Sequence, residues 1–113
     1  IMSAKFKSKI ELSVSLDENK IPEKIFWTAK DGNIKNKQTK AALLSVWDSK
    51  TKESLRIDLW TKDMPIDDMK LFFYQTLSTM TDTYERATQD QELTSAMKEF
   101  CNYFSENMKL SNK

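Results

Sequence analysis

Histidine is absent from this chain of 113 residues, and glycine and cysteine occur once each. Each scarcity removes a class of chemistry. Without histidine there is no imidazole to act as general base, metal ligand or pH switch near neutrality. With Gly32 alone, no glycine-rich loop can cradle a phosphate or a dinucleotide. Cys101 has no second cysteine to pair with, and it stands between Phe100 and Phe104 in a helical pattern. It reads as a small buried hydrophobe, because free cysteine is among the most buried residue types. No apolar run is long enough to span a membrane. The N-terminal residues mix charges into alternation and do not read as a signal peptide. Met2 reads as the native start, with Ile1 an extra residue before it, and the compartment expected is the cytoplasm.

What is present is a change of period near residue 62. Before it, apolar residues fall at every second position: Phe6, Ile10, Leu12, Val14 and Leu16, then Leu55, Ile57 and Leu59. After it they recur at three and four: Met69, Phe72, Phe73, Leu77, Met80 and Tyr84. Alternation marks a half-buried strand and the 3.6 period marks an amphipathic helix. Strands are expected over 6–16, over 25–29, and in a hairpin of 41–47 and 53–60 about Ser49–Lys52. Pairing Asp48 with Glu53 puts Val46 opposite Leu55, Leu44 opposite Ile57 and Ala42 opposite Leu59, all on a core face. Asp31-Gly32-Asn33 is a turn signal, and the polar, basic segment 34–40 reads as a loop. Pro65 suits the first turn of a helix running to about Arg86. Asp90 is the N-cap expected for a second helix with the stripe Leu93, Met97, Phe100, Phe104 and Met108. The tail 110–113 is expected to fray. The fold expected is one α+β domain over 1–113: a four-stranded, mainly antiparallel sheet with two C-terminal helices packed on one face.

Charge is balanced in total, at +1, but uneven along the chain. Residues 1–60 carry 12 Lys and Arg against 8 Asp and Glu, while residues 61–113 carry 6 against 9. That asymmetry suits a protein partner or a second copy better than nucleic acid. Lys35, Lys37 and Lys40 lack the interleaved aromatics of a nucleic-acid site and read as solvated. Asp58, Asp63, Asp67 and Asp68 gather at the strand-to-helix junction. Their spacing matches no calcium loop, and a helix N-terminus accounts for two of them. No nucleophile has a base beside it, so no catalytic residue, metal ligand or cofactor site is assigned and no enzyme is expected. The methionines and aromatics at helical spacing read as core.

Trp47, Arg56, Asp58 and Trp60 fall on the hairpin face opposite the core. Either neighbouring loops cover these tryptophans, or a three-residue loop slips the register by one and reverses the face of the first hairpin strand, or they form an exposed aromatic platform with charges beside it. Trp and Arg are enriched in interface hot spots, so the last reading makes this face the candidate interaction surface.

Several longer stretches resemble a known family. They are Val14-Ser-Leu-Asp-Glu-Asn-Lys-Ile-Pro-Glu-Lys-Ile, Leu43-Leu-Ser-Val-Trp-Asp-Ser-Lys, Ile57-Asp-Leu-Trp-Thr-Lys-Asp-Met-Pro and Met69-Lys-Leu-Phe-Phe-Tyr-Gln-Thr-Leu, continuing through Tyr84-Glu-Arg-Ala-Thr to Phe100-Cys-Asn-Tyr-Phe. Together they are similar to the gliding-motility-associated GldC family of Bacteroidetes, over about Ile10 to Phe104. The match is one of identity over length and carries no chemical motif. It implies a protein associated with gliding motility and the machinery that drives it, in a family with no assigned enzymatic activity. The function expected is a non-enzymatic accessory protein of gliding motility acting through protein–protein contacts, with components of that machinery as partners. A homodimer, or a small homo-oligomeric ligand- or nucleic-acid-binding regulator, is the alternative.

Overall fold

The computed structural model describes residues 5–111; the expectations for Met2 and for residues 112–113 lie outside them. The chain forms two compact units with their boundary between Met64 and Pro65, and each is described by itself. The first holds five strands: β1 (Ile10–Leu16), β2 (Pro22–Ala29), β3 (Ile34–Thr39), β4 (Ala41–Asp48) and β5 (Glu53–Trp60). The second holds α1 (Ile66–Thr88) and α2 (Gln91–Asn107).

The single four-stranded sheet is corrected to two antiparallel sheets, one of order β1-β2-β3 and one of β4-β5. The extra strand is β3, Ile-Lys-Asn-Lys-Gln-Thr, which was expected to be a loop. It pairs with β2 through its backbone, with Ile25 opposite Thr39 and Trp27 opposite Lys37. Pairing by main chain leaves no hydrophobic alternation to read, and lysines on an edge strand discourage further pairing. The register shifts between Trp27 and Ala29. At that irregularity Asn36 has φ 48°, and its N–H donates to Thr28 Oγ1 at 2.9 Å.

The first strand begins at Ile10 and not at Phe6. Ile10 lies opposite Ala29, where β2 ends, so residues before it have no ladder to join. Phe6 is accordingly 90% exposed. Ile25, at the centre of β2 between Val14 and Thr39, is fully buried.

One residue, Lys40, separates β3 from β4, and the return strand closes the junction. Thr61 N–H donates to the Lys40 carbonyl at 2.8 Å, and Lys62 N–H to the Pro22 carbonyl at 3.1 Å. Thr61 is itself buried. Its hydroxyl donates to Asp63 Oδ1 at 2.6 Å.

In the second unit, Pro65 occupies the N-cap of α1 with Asp67 and Asp68 in the first turn, as dipole electrostatics favours. Gln89 takes the left-handed conformation that ends α1. Asp90 caps α2 by accepting from Leu93 N–H at 3.0 Å. The two helices thus make a tight αα-hairpin pinned at both ends. Near the turn, Tyr84 Oη donates to Asp90 Oδ2 at 3.1 Å. At the open end, Lys70 Nζ donates to the Lys109 carbonyl at 2.9 Å. There too, Ser111 Oγ donates to Asp67 Oδ2 at 2.8 Å.

Along the seam between the helices the buried residues are small, Thr81, Thr94 and Cys101, and Tyr74 stacks on Phe104 across it with ring centroids 6.4 Å apart. Cys101 is therefore buried, with Thr81 Oγ1 3.7 Å from its sulfur. Four stripe residues expected in a core are exposed: Phe73, Met80, Leu93 and Phe100, at 42%, 52%, 49% and 51%.

Thr94 is 1% exposed, and its hydroxyl has no hydrogen-bond partner among the described residues. A buried hydroxyl without a partner costs about 1–3 kcal/mol. Thr94→Val keeps the shape and removes the unpaired group, so it is expected to stabilise the chain by about 1 kcal/mol. A urea midpoint at or below that of the wild type contradicts this account of the seam.

Candidate interaction surface

The β4-β5 hairpin is built from its turn outward. Asp48 Oδ1 accepts from Lys50 N–H at 2.9 Å. The Asp48 carbonyl accepts from Lys52 N–H at 2.8 Å, and Lys52 takes φ 60° to close the loop. This turn fixes the register: Asp48 opposite Glu53, Val46 opposite Leu55, Leu44 opposite Ile57 and Ala42 opposite Leu59. Because side chains alternate, one face of the hairpin is aliphatic. The other carries Trp47 opposite Ser54, Arg56 opposite Ser45, Asp58 opposite Leu43 and Trp60 opposite Ala41.

These positions place the two indoles at opposite ends of one face, about 20 Å apart at the usual rise per strand residue. Trp47 is 63% exposed and Trp60 55%. Between them lies an ion pair along a single strand. Arg56 Nη2 stands 2.7 Å from Asp58 Oδ1, and Arg56 Nε stands 3.4 Å from Asp58 Oδ2. Both partners are partly exposed, so the pair adds little stability. Two contacts to one carboxylate orient the guanidinium.

The aliphatic face differs from its expected role as core. Leu44, Val46, Leu55 and Ile57 are each about half exposed. Alternation reports that one face is apolar; it does not report what lies against that face. A hairpin apolar on one side and aromatic on the other therefore presents both sides as surface. A second uncovered region lies on the helices. Leu77, Met80, Ala96, Met97, Phe100 and Cys101 line an open groove of about 290 Å³. The sequence did signal this stripe, but as core.

The acidic residues near residue 60 are distributed and not gathered. Asp58 is held by Arg56, Asp63 by Thr61 and by Lys40 Nζ at 3.0 Å, and Asp67 by Ser111. Among the described residues no group of three or more His, Cys, Asp or Glu is placed to hold a metal ion. Lys40 is committed to Asp63, while Lys35 and Lys37 stand on β3.

The strongest charge cluster braces the base of the hairpin. Lys62 Nζ lies 2.9 Å from Asp17 Oδ2 and 3.3 Å from Glu23 Oε2. Asp17 Oδ1 also accepts from Asn19 N–H at 2.8 Å and Ile21 N–H at 3.0 Å. The Ile21 N–H, and then the Lys62 ammonium, hold the Asp17 carboxyl below its ordinary value of 3.8. The Asp17 and Glu23 carboxylates hold Lys62 above 10.5. The Thr61 hydroxyl, followed by Lys40, lowers Asp63 as well.

No described helix is long and apolar enough to cross a membrane. The molecule is thus an α+β protein whose distinctive features are uncovered faces. Residues 22–110 match the model of the gliding motility-associated protein GldC-like family, and the chain belongs to that family. No curated protein and no solved structure matches the chain.

The Asp17 contact has a pH consequence. A carboxyl whose folded pKa lies below its unfolded value contributes stability at pH above 3.8, and that contribution is lost as pH falls through the lowered folded value. Lys62 behaves oppositely, contributing below 10.5 and losing that contribution as pH rises through its raised folded value. Urea midpoints measured down through the acid range should converge for wild type and Asp17→Asn, with wild type the more stable at neutral pH. Parallel curves contradict the bracing role of Asp17.

Proposed function

We propose that this chain is a non-enzymatic accessory protein of gliding motility that works by binding another protein through the Trp47, Arg56, Asp58 and Trp60 face of the β4-β5 hairpin. Membership of the gliding-motility family supplies the setting. The observation that carries the surface is two tryptophans more than half exposed on one face, with an oriented Arg–Asp pair between them. Large exposed apolar groups beside oriented charges mark protein contacts. The indoles supply apolar area at low entropic cost, and the guanidinium, already held by Asp58, loses little freedom when it engages a partner carboxylate. The turn and the ladder make the platform rigid. The reading places the protein in the cytoplasm, where the single thiol of Cys101 stays reduced.

Alanine substitution of exposed residues on this face should leave the fold intact. Trp60→Ala or Arg56→Ala is expected to weaken partner binding by more than about 1 kcal/mol, roughly fivefold. Pull-down from gliding cells, followed by titration with the recovered component, measures the change. A folded Trp47→Ala/Trp60→Ala double variant that recovers the same components at the same affinity contradicts this surface.

A further inference from the structure

The helical unit carries an uncovered surface that uses none of the hairpin residues. On α1 it runs through Phe73, Leu77 and Met80, and on α2 through Leu93, Met97 and Phe100, at the three-and-four spacing of one helix face. Met80 is 52% exposed, Phe100 51% and Leu93 49%. The open groove of about 290 Å³ lies along this stripe between the two helices. Asp82, Arg86, Glu92, Lys98 and Glu106 lie off it; Lys70, at the same spacing between Ile66 and Phe73, is the charge on its line and donates to the Lys109 carbonyl at 2.9 Å. Where the groove runs, the buried residues beneath it are the small Thr81 and Cys101, so Leu77, Met80, Met97 and Phe100 form its walls.

We propose that a second copy of this chain covers this face, the two αα-hairpins pairing about a two-fold axis as an antiparallel four-helix bundle. Three features favour that occupant. Between Phe73 and Met80 and between Leu93 and Phe100 the stripe carries no charge, so it can face its own copy without like-charge repulsion. Two helices provide half of a four-helix core, and residues at three-and-four spacing on both are the positions such a bundle packs inward. The area also suffices. Each half-exposed large side chain offers roughly 100 Å². Ile66 and Tyr103 extend the stripe, at 75% and 62% exposure. Six such residues per copy give about 1,200 Å² in a symmetric pair, the lower bound for a specific interface. The four half-exposed residues of the β4-β5 aliphatic face offer only about two-thirds of that.

Sedimentation of the full chain over a concentration series tests the proposal. The expected result is a reversible monomer–dimer equilibrium with dissociation near about 1 μM. Met80→Glu and Phe100→Glu should each raise the dissociation constant by at least about tenfold with helical circular dichroism unchanged, since a charge would be buried at the contact. Trp47→Ala/Trp60→Ala should leave the dimer intact, which keeps this result separate from that of the hairpin face. The unmodified chain gives a second readout that tolerates no folding artefact. Peroxide oxidation of Met80, followed by mass spectrometry, should slow as concentration rises through the dimer transition. A chain that stays monomeric up to about 1 mM overturns the proposal. So does a folded Met80→Glu or Phe100→Glu variant that dimerises like the wild type, or a Met80 oxidation rate independent of concentration.

Discussion

Burial of apolar side chains is what offsets the entropy of ordering a chain, and here each unit buries few of its own. Among the described residues the buried side chains are Ile25, Thr61, Thr81, Thr94 and Cys101, of which only Ile25 is a large aliphatic. The larger hydrophobes line faces: four aliphatic residues on one side of the hairpin, two tryptophans on the other, and a methionine–phenylalanine stripe on the helices. A monomeric protein seldom leaves several large apolar faces to water. In the function and the pairing proposed above, covering those faces is the condition on which the chain's stability and its role both depend.

The local architecture supplies the order that burial does not. Strand ladders, the Asp48 turn, the Asp90 cap and the ties of Asp67 and Lys70 to the end of α2 fix the backbone with main-chain hydrogen bonds and short-range contacts. The base of the hairpin is the most heavily braced point. Thr61 continues the β4-β5 ladder onto Lys40, Lys62 reaches the Pro22 carbonyl with its N–H and two carboxylates with its side chain, and Asp63 takes both the Thr61 hydroxyl and Lys40. An isolated two-stranded hairpin is marginally stable. Bracing at its base presents β4 and β5 as a rigid platform rather than a fluctuating arm.

Much of this was legible in the residues. The change of period located the boundary between strands and helices, and Asp90, Pro65 and the Asp48–Glu53 pairing could be placed because caps, helix starts and turns have residue preferences with local causes. Strand β3 was not legible: Ile-Lys-Asn-Lys-Gln-Thr pairs through its backbone at a sheet edge, where side-chain pattern carries little information. The start of β1 was misplaced for a related reason, since alternation from Phe6 says nothing about whether a partner strand extends that far. Exposure was the larger gap. A periodic stripe such as Phe73, Met80 and Phe100 looks the same in sequence whether it faces an internal core or another molecule. The hairpin register could be written from the sequence, whereas the half-exposed state of Leu44, Val46, Leu55 and Ile57 required coordinates.

On the proposed reading, the chain holds its elements by backbone order and uses its hydrophobic faces for contact, as an accessory component of a motility system would. If covering those faces is what stabilises the chain, its melting temperature must depend on its own concentration. Calorimetry over about a hundredfold range of concentration tests this directly. A melting temperature that climbs by several degrees across the range is the predicted result, and one that does not move contradicts the account.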